Sequence, residues 1–441
     1  MAERLFGTDG IRGIAGKGIL SADSVRRLGA IIGATLGKGA ARACVGRDTR
    51  PSGDGLSMAL LEGLTGAGVD VVDLGIAPTP AVAHLVGPYE CAAGVVISAS
   101  HNPSDYNGLK VLGPSGEKID DALEREIEER YLEDGPDPTA AHRGEVVQAS
   151  DAARRYVSYL RGTWPEGSLD GMRIAVDCAN GATGNVGPEI LKELGADVRV
   201  TCADMSGAEI NRNCGALYPE NVQQLAREVE ADVGISFDGD GDRLMMVDDT
   251  GQVRDGDDVL AVGARDLDRR GKLPGKGVVG TVMSNVGLDR SLEEIGAKLV
   301  RSGVGDRFVL AEMKKGGFAL GGEPSGHVIF LPLSRAGDGI LTALQVLRVI
   351  RESGERLSVL SRCLRKVPQV VLNVPVQDRR PLDQLEGVQG QIRLAAEKLG
   401  REGRVLVRYS GTEPLVRVMI EGPDRDAIRK MAQAIGDAFG R

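Results

Sequence analysis

Val233-Gly-Ile-Ser-Phe-Asp-Gly-Asp-Gly-Asp-Arg243 sets a largely apolar run directly against three carboxylates spaced by glycine. A short β-branched run of this kind reads as a buried strand that delivers a polar loop at its carboxyl end, where open α/β sheets place their ligands. The intervening Gly residues let the backbone curl so that Asp238, Asp240 and Asp242 converge on one hard cation; in a straight strand they would only line one face. A solvated acidic turn is the competing reading. An EF-hand is excluded, because Arg243 stands where that loop needs Gly, Asp249 where it needs a bidentate Glu, and a strand precedes instead of a helix. With three protein carboxylates, Mg²⁺ would still take waters or phosphate oxygens, its usual arrangement in phosphoryl transfer.

The same alternation of short apolar runs and amphipathic stretches extends outward in both directions. Upstream it predicts strands at Arg173–Asp177 and 197–202, with a helix from about Ser150 and helices near 185–194 and 219–230. Before these come strands at 42–46, 69–74 and 92–98, and helices near 21–37, 53–66, 79–86 and 120–132. The stretch 133–145, with its Pro and Gly and no apolar period, reads as a linker. Downstream, strands are expected at 278–282, 298–301 and 318–320, with helices near 257–270, 286–295 and 338–353. The tail, from about Val367, reads as a small α+β unit with strands at 370–376, Arg404–Tyr409 and Leu415–Glu421. Three serial α/β blocks and a smaller C-terminal α+β block are the predicted architecture.

Composition narrows the function. The chain has 441 residues, including 62 Gly, 19 Pro, seven Tyr, six Phe and one Trp. Gly without a G-X-Y period excludes collagen, and 42% hydrophobic residues exclude a disordered chain. A net charge of −9 with dispersed Lys and Arg argues against nucleic acid or an anionic membrane as partner. No apolar run reaches the length of a membrane span, and Met1 to Gly13 lacks the basic region and apolar core of a signal peptide, so a cytoplasmic protein is expected. The six Cys (44, 91, 178, 202, 214 and 363) show no C-x-x-C or zinc spacing and read as reduced and structural.

Three more loops have chemistry-bearing side chains. Ile97-Ser-Ala-Ser-His-Asn-Pro-Ser-Asp-Tyr-Asn-Gly-Leu-Lys110 follows an apolar strand and exposes Ser100 on a turn, with His101 and Lys110 as proton carriers or phosphate partners; a turn with capping hydroxyls is the alternative. It is not the G-x-S-x-G elbow of hydrolases. In Gly321-Gly-Glu-Pro-Ser-Gly-His327, Glu323 and Ser325 can grip sugar hydroxyls and His327 can bind phosphate or carry a proton; a Gly-rich hairpin is the alternative. In Arg408-Tyr-Ser-Gly-Thr-Glu-Pro-Leu-Val-Arg417, two Arg flank a Ser-Gly-Thr turn that can cradle a phosphate, or a hairpin whose Arg are solvated. No Walker-A sequence occurs, so nucleotide use is not indicated.

Together these loops are the parts of a phosphosugar phosphotransferase. In order and spelling they resemble the α-D-phosphohexomutase superfamily over nearly the whole chain. Phe6-Gly-Thr-Asp-Gly-Ile-Arg-Gly13, Asn211-Arg-Asn-Cys-Gly-Ala-Leu-Tyr-Pro-Glu220, Gly305-Asp-Arg307 and the Arg408–Gly422 stretch resemble its amino-sugar branch. The resemblance implies three similar α/β domains with mixed sheets (1–148, 149–254, 255–366) and a smaller α+β domain (367–441) around a central cleft. It implies interconversion of glucosamine 6-phosphate and glucosamine 1-phosphate, the step feeding UDP-N-acetylglucosamine, through a sugar bisphosphate that also serves as activator.

Carried onto this chain, the resemblance makes Ser100 the phosphoserine, its phosphate joining Asp238, Asp240 and Asp242 around one Mg²⁺. Lys110 becomes the candidate general acid/base, with Arg12, His101, Asn102 and Arg243 lining the reaction centre. As a base near neutrality Lys110 would need a lowered pKa, which Arg12 and Arg243 in a closed cleft would favour. Glu323, Ser325 and His327 would read the sugar, while Arg408, Ser410, Gly411, Thr412 and Arg417 would hold the non-reacting phosphate. A homodimer is expected by analogy. Two positions depart from the pattern: Pro324 stands where the branch more often has an amide residue, and Tyr409 where a small residue is usual. A mutase acting on hexoses with a C2 hydroxyl, an Asp-nucleophile phosphatase using Asp238 and Asp240, and a phosphosugar sensor remain alternatives.

Overall fold

The apolar runs become the central strands of four separate sheets, seen in a computed structural model that describes residues 4–36, 41–133, 135–165, 167–410 and 414–439. In the first sheet the strand order is Ile11–Ile14, Tyr106–Leu112, Ala93–Ile97, Arg42–Arg47, Asp70–Ile76 and Val146–Gln148. The last four are parallel, and Tyr106–Leu112 runs antiparallel to both its neighbours. The second sheet orders Val253–Arg254, Leu244–Val247, Val233–Phe237, Arg173–Asp177 and Asp197–Thr201, again parallel with an antiparallel strand beside the carboxylate loop. The third orders Lys298–Ser302, Gly277–Thr281, Leu320–Gly322 and Val328–Phe330. All three sheets are mixed, and the fourth is a three-stranded antiparallel sheet of Gln369–Pro375, Leu415–Glu421 and Arg404–Tyr409.

Burial follows this topology. Ala93–Ile97, Val233–Phe237 and Gly277–Thr281 are buried along their whole length, as strands covered on both faces must be, whereas Gln369–Pro375 alternates between partly covered and exposed positions. Some of the helices begin where an acidic side chain takes up free backbone N–H groups, among them Asp120 before Asp121–Leu132, Asp255 in a capping box before Gly256–Arg269, and Asp338 before Gly339–Ser353. One continuous apolar core runs through the first three units, from Val82 and Leu85 through Leu160, Ile174 and Phe237 to Leu260, Leu320 and Leu344. The C-terminal unit packs its own core around Val388, Leu399, Val418, Ile420 and Ile435.

The expected elements form, with instructive differences. Each of the four candidate loops connects an antiparallel pair, so each is the tip of a hairpin. The returning strands Tyr106–Leu112 and Leu244–Val247 were not expected, and Lys110 therefore lies in a strand, opposite Val96, and not in a loop. Gly321 and Gly322 likewise belong to a strand. An unforeseen helix, Asp306–Gly316, closes on Gly317 in the left-handed conformation.

Candidate active site

Ser100 is fully buried and holds a left-handed backbone with φ of 52°. Three side chains impose it. The Arg50 guanidinium donates through Nη2 to the carbonyls of Ser100 (3.0 Å) and Asn102 (2.7 Å), and through Nη1 to those of Tyr106 (2.9 Å) and Pro103. From the second unit, Asn211 Nδ2 donates to the same Ser100 and Asn102 carbonyls at 2.8 and 3.0 Å. Ser98 Oγ accepts the Ser100 N–H at 2.8 Å and donates to Asp48, which also pairs with Arg50. With its carbonyls tied back, the turn presents the Ser100 hydroxyl to Asp238 Oδ2 at 2.6 Å, with His101 Nδ1 3.1 Å from the same oxygen. Gly239 is required here, since a Cβ on it would lie 2.8 Å from the Ser100 carbonyl oxygen.

Asp238, Asp240 and Asp242 converge: one oxygen of each lies within 4.8 Å of the others, and all three residues are buried. Asp240 Oδ2 accepts from Thr79 Oγ1 at 2.6 Å and from Lys110 Nζ at 2.8 Å; Lys110 also reaches Asp242 at 3.1 Å and Asp9 at 3.2 Å. Asp240 Oδ1 and Asp242 Oδ1 are buried without a hydrogen-bond partner. Two orphaned carboxylate oxygens beside a third carboxylate form a hard-oxygen donor set that fits a divalent cation such as Mg²⁺. Burial and the charges of Asp242 and Asp240 push Asp238 well above the usual carboxylate range. Burial pushes Asp242 the same way, but Lys110, His327 and Arg243 outweigh it and hold Asp242 well below. The lowered pKa expected for Lys110 is not found: burial favours it, yet Asp240, Asp242 and Asp9 prevail and hold the ammonium protonated.

The third unit closes the other side. His327 Nδ1 lies 3.7 Å from Asp242 Oδ2, its ring packed over Gly337; burial alone would lower its pKa, but Asp242 and Asp306 raise it to about 9. His101 moves oppositely, to about 4, through burial and the nearby Arg243 and Arg12. Arg12 also donates to Asn102 Oδ1 at 3.0 Å. Glu323 Oε1 accepts the Gly305 N–H at 2.9 Å, and Ser325 is half-buried on the same turn. Lys118 pairs with Asp9 of its own unit and with Asp306 of the third. A cavity of about 550 Å³ between the first and third units reaches Asp242 and His327, with Lys118, Asp306 and Phe308 in its wall. That is ample for a small polar substrate.

Backbone bonds tie the carboxylate loop to both flanks. Thr79 N donates to Asp240 O at 2.8 Å, Gly339 N to Gly241 O at 3.0 Å, and Leu244 N to Gly326 O at 3.0 Å. On the C-terminal hairpin, Arg408 stands opposite Arg417, and burial together with that second guanidinium lowers the Arg408 pKa, so an anion is favoured between them. Ser410 is buried at the tip of the same hairpin. Gly411 and Thr412 lie outside the described residues.

Sequence reasoning missed Asp48, Arg50 and Thr79, and it quoted Asp9, Asn211 and Asp306 without giving them work. A signal existed for Arg50: Gly46-Arg-Asp-Thr-Arg50 packs three charges at the end of an apolar strand.

Four family models match the chain: phosphoglucomutase/phosphomannomutase alpha/beta/alpha domains I (residues 3–136), II (154–251) and III (255–367), and the C-terminal domain (371–438). A phosphoglucosamine mutase of Thermoanaerobacter sp. strain X514 is 45% identical over 444 residues, covering 99% of each chain. Among solved structures, a phosphoglucomutase/phosphomannomutase family protein from Burkholderia thailandensis superposes with a TM-score of 0.82 at 27% identity, covering 99% of this chain and 97% of that one. The N-acetylphosphoglucosamine mutase of Aspergillus fumigatus, solved with GlcNAc-6P and magnesium, shares the fold at 19% identity and a TM-score of 0.70, covering 99% and 96%.

Proposed function

Since the chain belongs to the phosphoglucomutase/phosphomannomutase family and groups with its phosphoglucosamine mutases, we propose that Ser100 relays a phosphoryl group between O6 and O1 of glucosamine phosphate. The chain is an intramolecular phosphotransferase of the isomerase class, and it converts glucosamine 6-phosphate to glucosamine 1-phosphate reversibly. The observation that carries the reading is the Ser100 hydroxyl 2.6 Å from Asp238, beside the orphaned oxygens of Asp240 and Asp242.

In the resting enzyme Ser100 bears the phosphoryl group. The free hydroxyl of the bound sugar attacks it, the P–O bond to Ser100 breaks, and a sugar bisphosphate forms. After the sugar turns over, the Ser100 oxygen takes back the other phosphate. Asp238, Asp240, Asp242 and the phosphoserine would hold Mg²⁺, which when bound would supply charge neutralisation for the transferring group. Lys110 exchanges the proton of the sugar hydroxyl, while Arg12, Arg243, His101 and Asn102 line the reacting phosphate. Glu323, Ser325 and His327 orient the sugar, and Arg408, Ser410, Gly411, Thr412 and Arg417 grip the non-reacting phosphate, whose binding energy is spent on positioning. One Mg²⁺ per chain, a bisphosphate activator, the domain limits 1–148, 149–254, 255–366 and 367–441, a cytoplasmic location and a homodimer complete the reading. Among the described residues, no helix is long and apolar enough to cross a membrane.

Intact-mass measurement, before and after treatment with sugar bisphosphate, tests the mechanism. One added phosphate located at Ser100, and near-total loss of mutase turnover in Ser100→Ala, are expected. Retained activity in that variant would favour an Asp nucleophile instead. Ligand binding without covalent phosphate would mark a sensor.

A further inference from the structure

Spacing separates Cys202 and Cys214 by a dozen residues, but the fold returns them to one another. Cys202 follows the strand Asp197–Thr201 in a left-handed conformation (φ 47°) and is half-buried; Cys214 is buried in the turn before Gly215. Their sulfurs and one Asp177 oxygen lie within 4.8 Å of each other, and both thiols are free. Asp177 accepts the N–H groups of Ala179 (2.8 Å) and Gly215 (2.9 Å) on its two oxygens, so it braces the turn that carries Cys214. Asn180 Nδ2 contacts Cys214 Sγ at 3.7 Å, and Thr201 Oγ1 lies 3.6 Å from Cys202 Sγ. Cys44 and Cys91 also interact, but both are buried in the core.

We propose that Cys202 and Cys214 are a modification site, a dithiol that a peroxide oxidises to a disulfide and that a thiol reductant restores. The two thiols are unequal in the way such a pair requires. Cys202 is half-buried and open to a small oxidant, whereas Cys214 is buried, its thiol donating to the Glu209 carbonyl at 3.9 Å. Cys202, the more accessible, attacks one oxygen of hydrogen peroxide; the O–O bond breaks, Cys202 becomes the sulfenic acid, and the departing hydroxide takes up a proton as water. Cys214 sulfur then attacks the Cys202 sulfur, the S–O bond breaks, and the hydroxide leaves with the Cys214 proton as a second water. Two electrons pass from the sulfurs to the peroxide.

The bond would act on the active site through Asn211. Closing the sulfurs to about 2.05 Å ties the two ends of the 202–214 loop together. Asn211 lies three residues before Cys214 and holds the carbonyls of Ser100 and Asn102 at 2.8 and 3.0 Å. A pull there loosens the Ser100 turn, so oxidation lowers phosphoryl transfer; this consequence rests on the function proposed above, whereas the bond itself does not.

The test uses the full-length reduced enzyme treated with hydrogen peroxide, mapped by mass spectrometry without reduction and assayed for mutase turnover. A peptide linked through Cys202 and Cys214, a mass loss of two hydrogens, about a tenfold fall in turnover and recovery with dithiothreitol are expected. Cys202→Ser should show neither linkage nor loss. Free thiols throughout, linkage to Cys178 instead, zinc bound at this site in one equivalent, or undiminished turnover with the bond in place would each overturn the proposal. If the reduced enzyme had no mutase activity, the functional reading would fail, and the mass map would still decide the dithiol.

Discussion

Arg50 donates to the carbonyl of Ser100 at 3.0 Å from a position that is 1% exposed, so the backbone of the proposed nucleophile is held by a residue fifty positions earlier in the chain. The same guanidinium serves four carbonyls of one turn and a buried carboxylate, a geometry only a planar fork can satisfy. Arg50→Lys should therefore lose about 10²-fold in kcat with little change in KM. Arg50→Met, which strands Asp48, should be less stable by about 3–5 kcal/mol. Steady-state kinetics and denaturant unfolding check the pair; a variant as stable and active as the parent would dispose of the clamp.

Lys110 neutralises carboxylates that the proposed cation must also bind. Lys110→Met should lower kcat by about 10²–10⁴-fold. It should also tighten Mg²⁺ binding, because the competing ammonium is gone. Titration calorimetry with Mg²⁺ alongside kinetics separates the two effects, and weaker Mg²⁺ binding in the variant would contradict the arrangement.

Chelation should abolish turnover, and Mg²⁺ should restore it. In Asp240→Asn the Mg²⁺ concentration needed for half-maximal activity should rise by about tenfold or more. An unchanged Mg²⁺ requirement would remove Asp240 from the ligand set.

Asp338 gives a stability test away from the carboxylate cluster. Burial raises its pKa from 3.8 to about 6, although the Leu341 and Ile340 N–H groups and the Tyr156 hydroxyl pull it down. A raised folded pKa means that the stabilisation is complete below pH 4 and is lost as pH climbs through 6, a loss of about 3 kcal/mol. Asp338→Asn keeps an acceptor for the helix cap but does not titrate. Its stability relative to the parent should therefore grow between pH 4 and pH 7 in denaturant unfolding; a pH-independent difference would contradict the raised pKa.

Substrate preference should follow the family branch. Glucosamine 6-phosphate is expected to show a higher kcat/KM than glucose or mannose 6-phosphate, measured side by side. Pro324→Gln, which restores the amide usual in the branch, should widen that margin.

The carboxylate loop was legible because glycine spacing and an apolar strand are local signals, and the same holds for the buried parallel strands of the mixed sheets. The returning strand Tyr106–Leu112 was not, because its buried polar residues are satisfied only in three dimensions: Asn107 by Ser52 at 2.9 Å, Lys110 by carboxylates of another unit. The helix Asp306–Gly316 did carry a signal, Val309 and Met313 four residues apart with Gly317 after the last turn, which the reading of Gly305-Asp-Arg307 as a motif obscured. The roles of Arg50 and Asn211 depend on carbonyls that no side-chain pattern reveals. The meeting of Cys202 and Cys214 depends on a segment in which Cys202, Asn211 and Asn213, as well as Gly207, are left-handed.

The Asp238–Asp242 loop is bonded through its own backbone to Thr79 on one side and Gly339 on the other, over a core that the three units share. It is the keystone of an arch: withdrawing the reacting carboxylates would unseat both flanks. The C-terminal unit, with a core of its own, stands outside that arch. That part is joined at Val367, whose N–H and carbonyl are both bonded by the side chain of Asn285, and it is held further by Arg404 on the Ser284 carbonyl at 3.1 Å and by Arg290 on the Arg401 carbonyl at 2.9 Å. The reacting carboxylates thereby sit within the arch, and the facing Arg408 and Arg417 in the unit beside it.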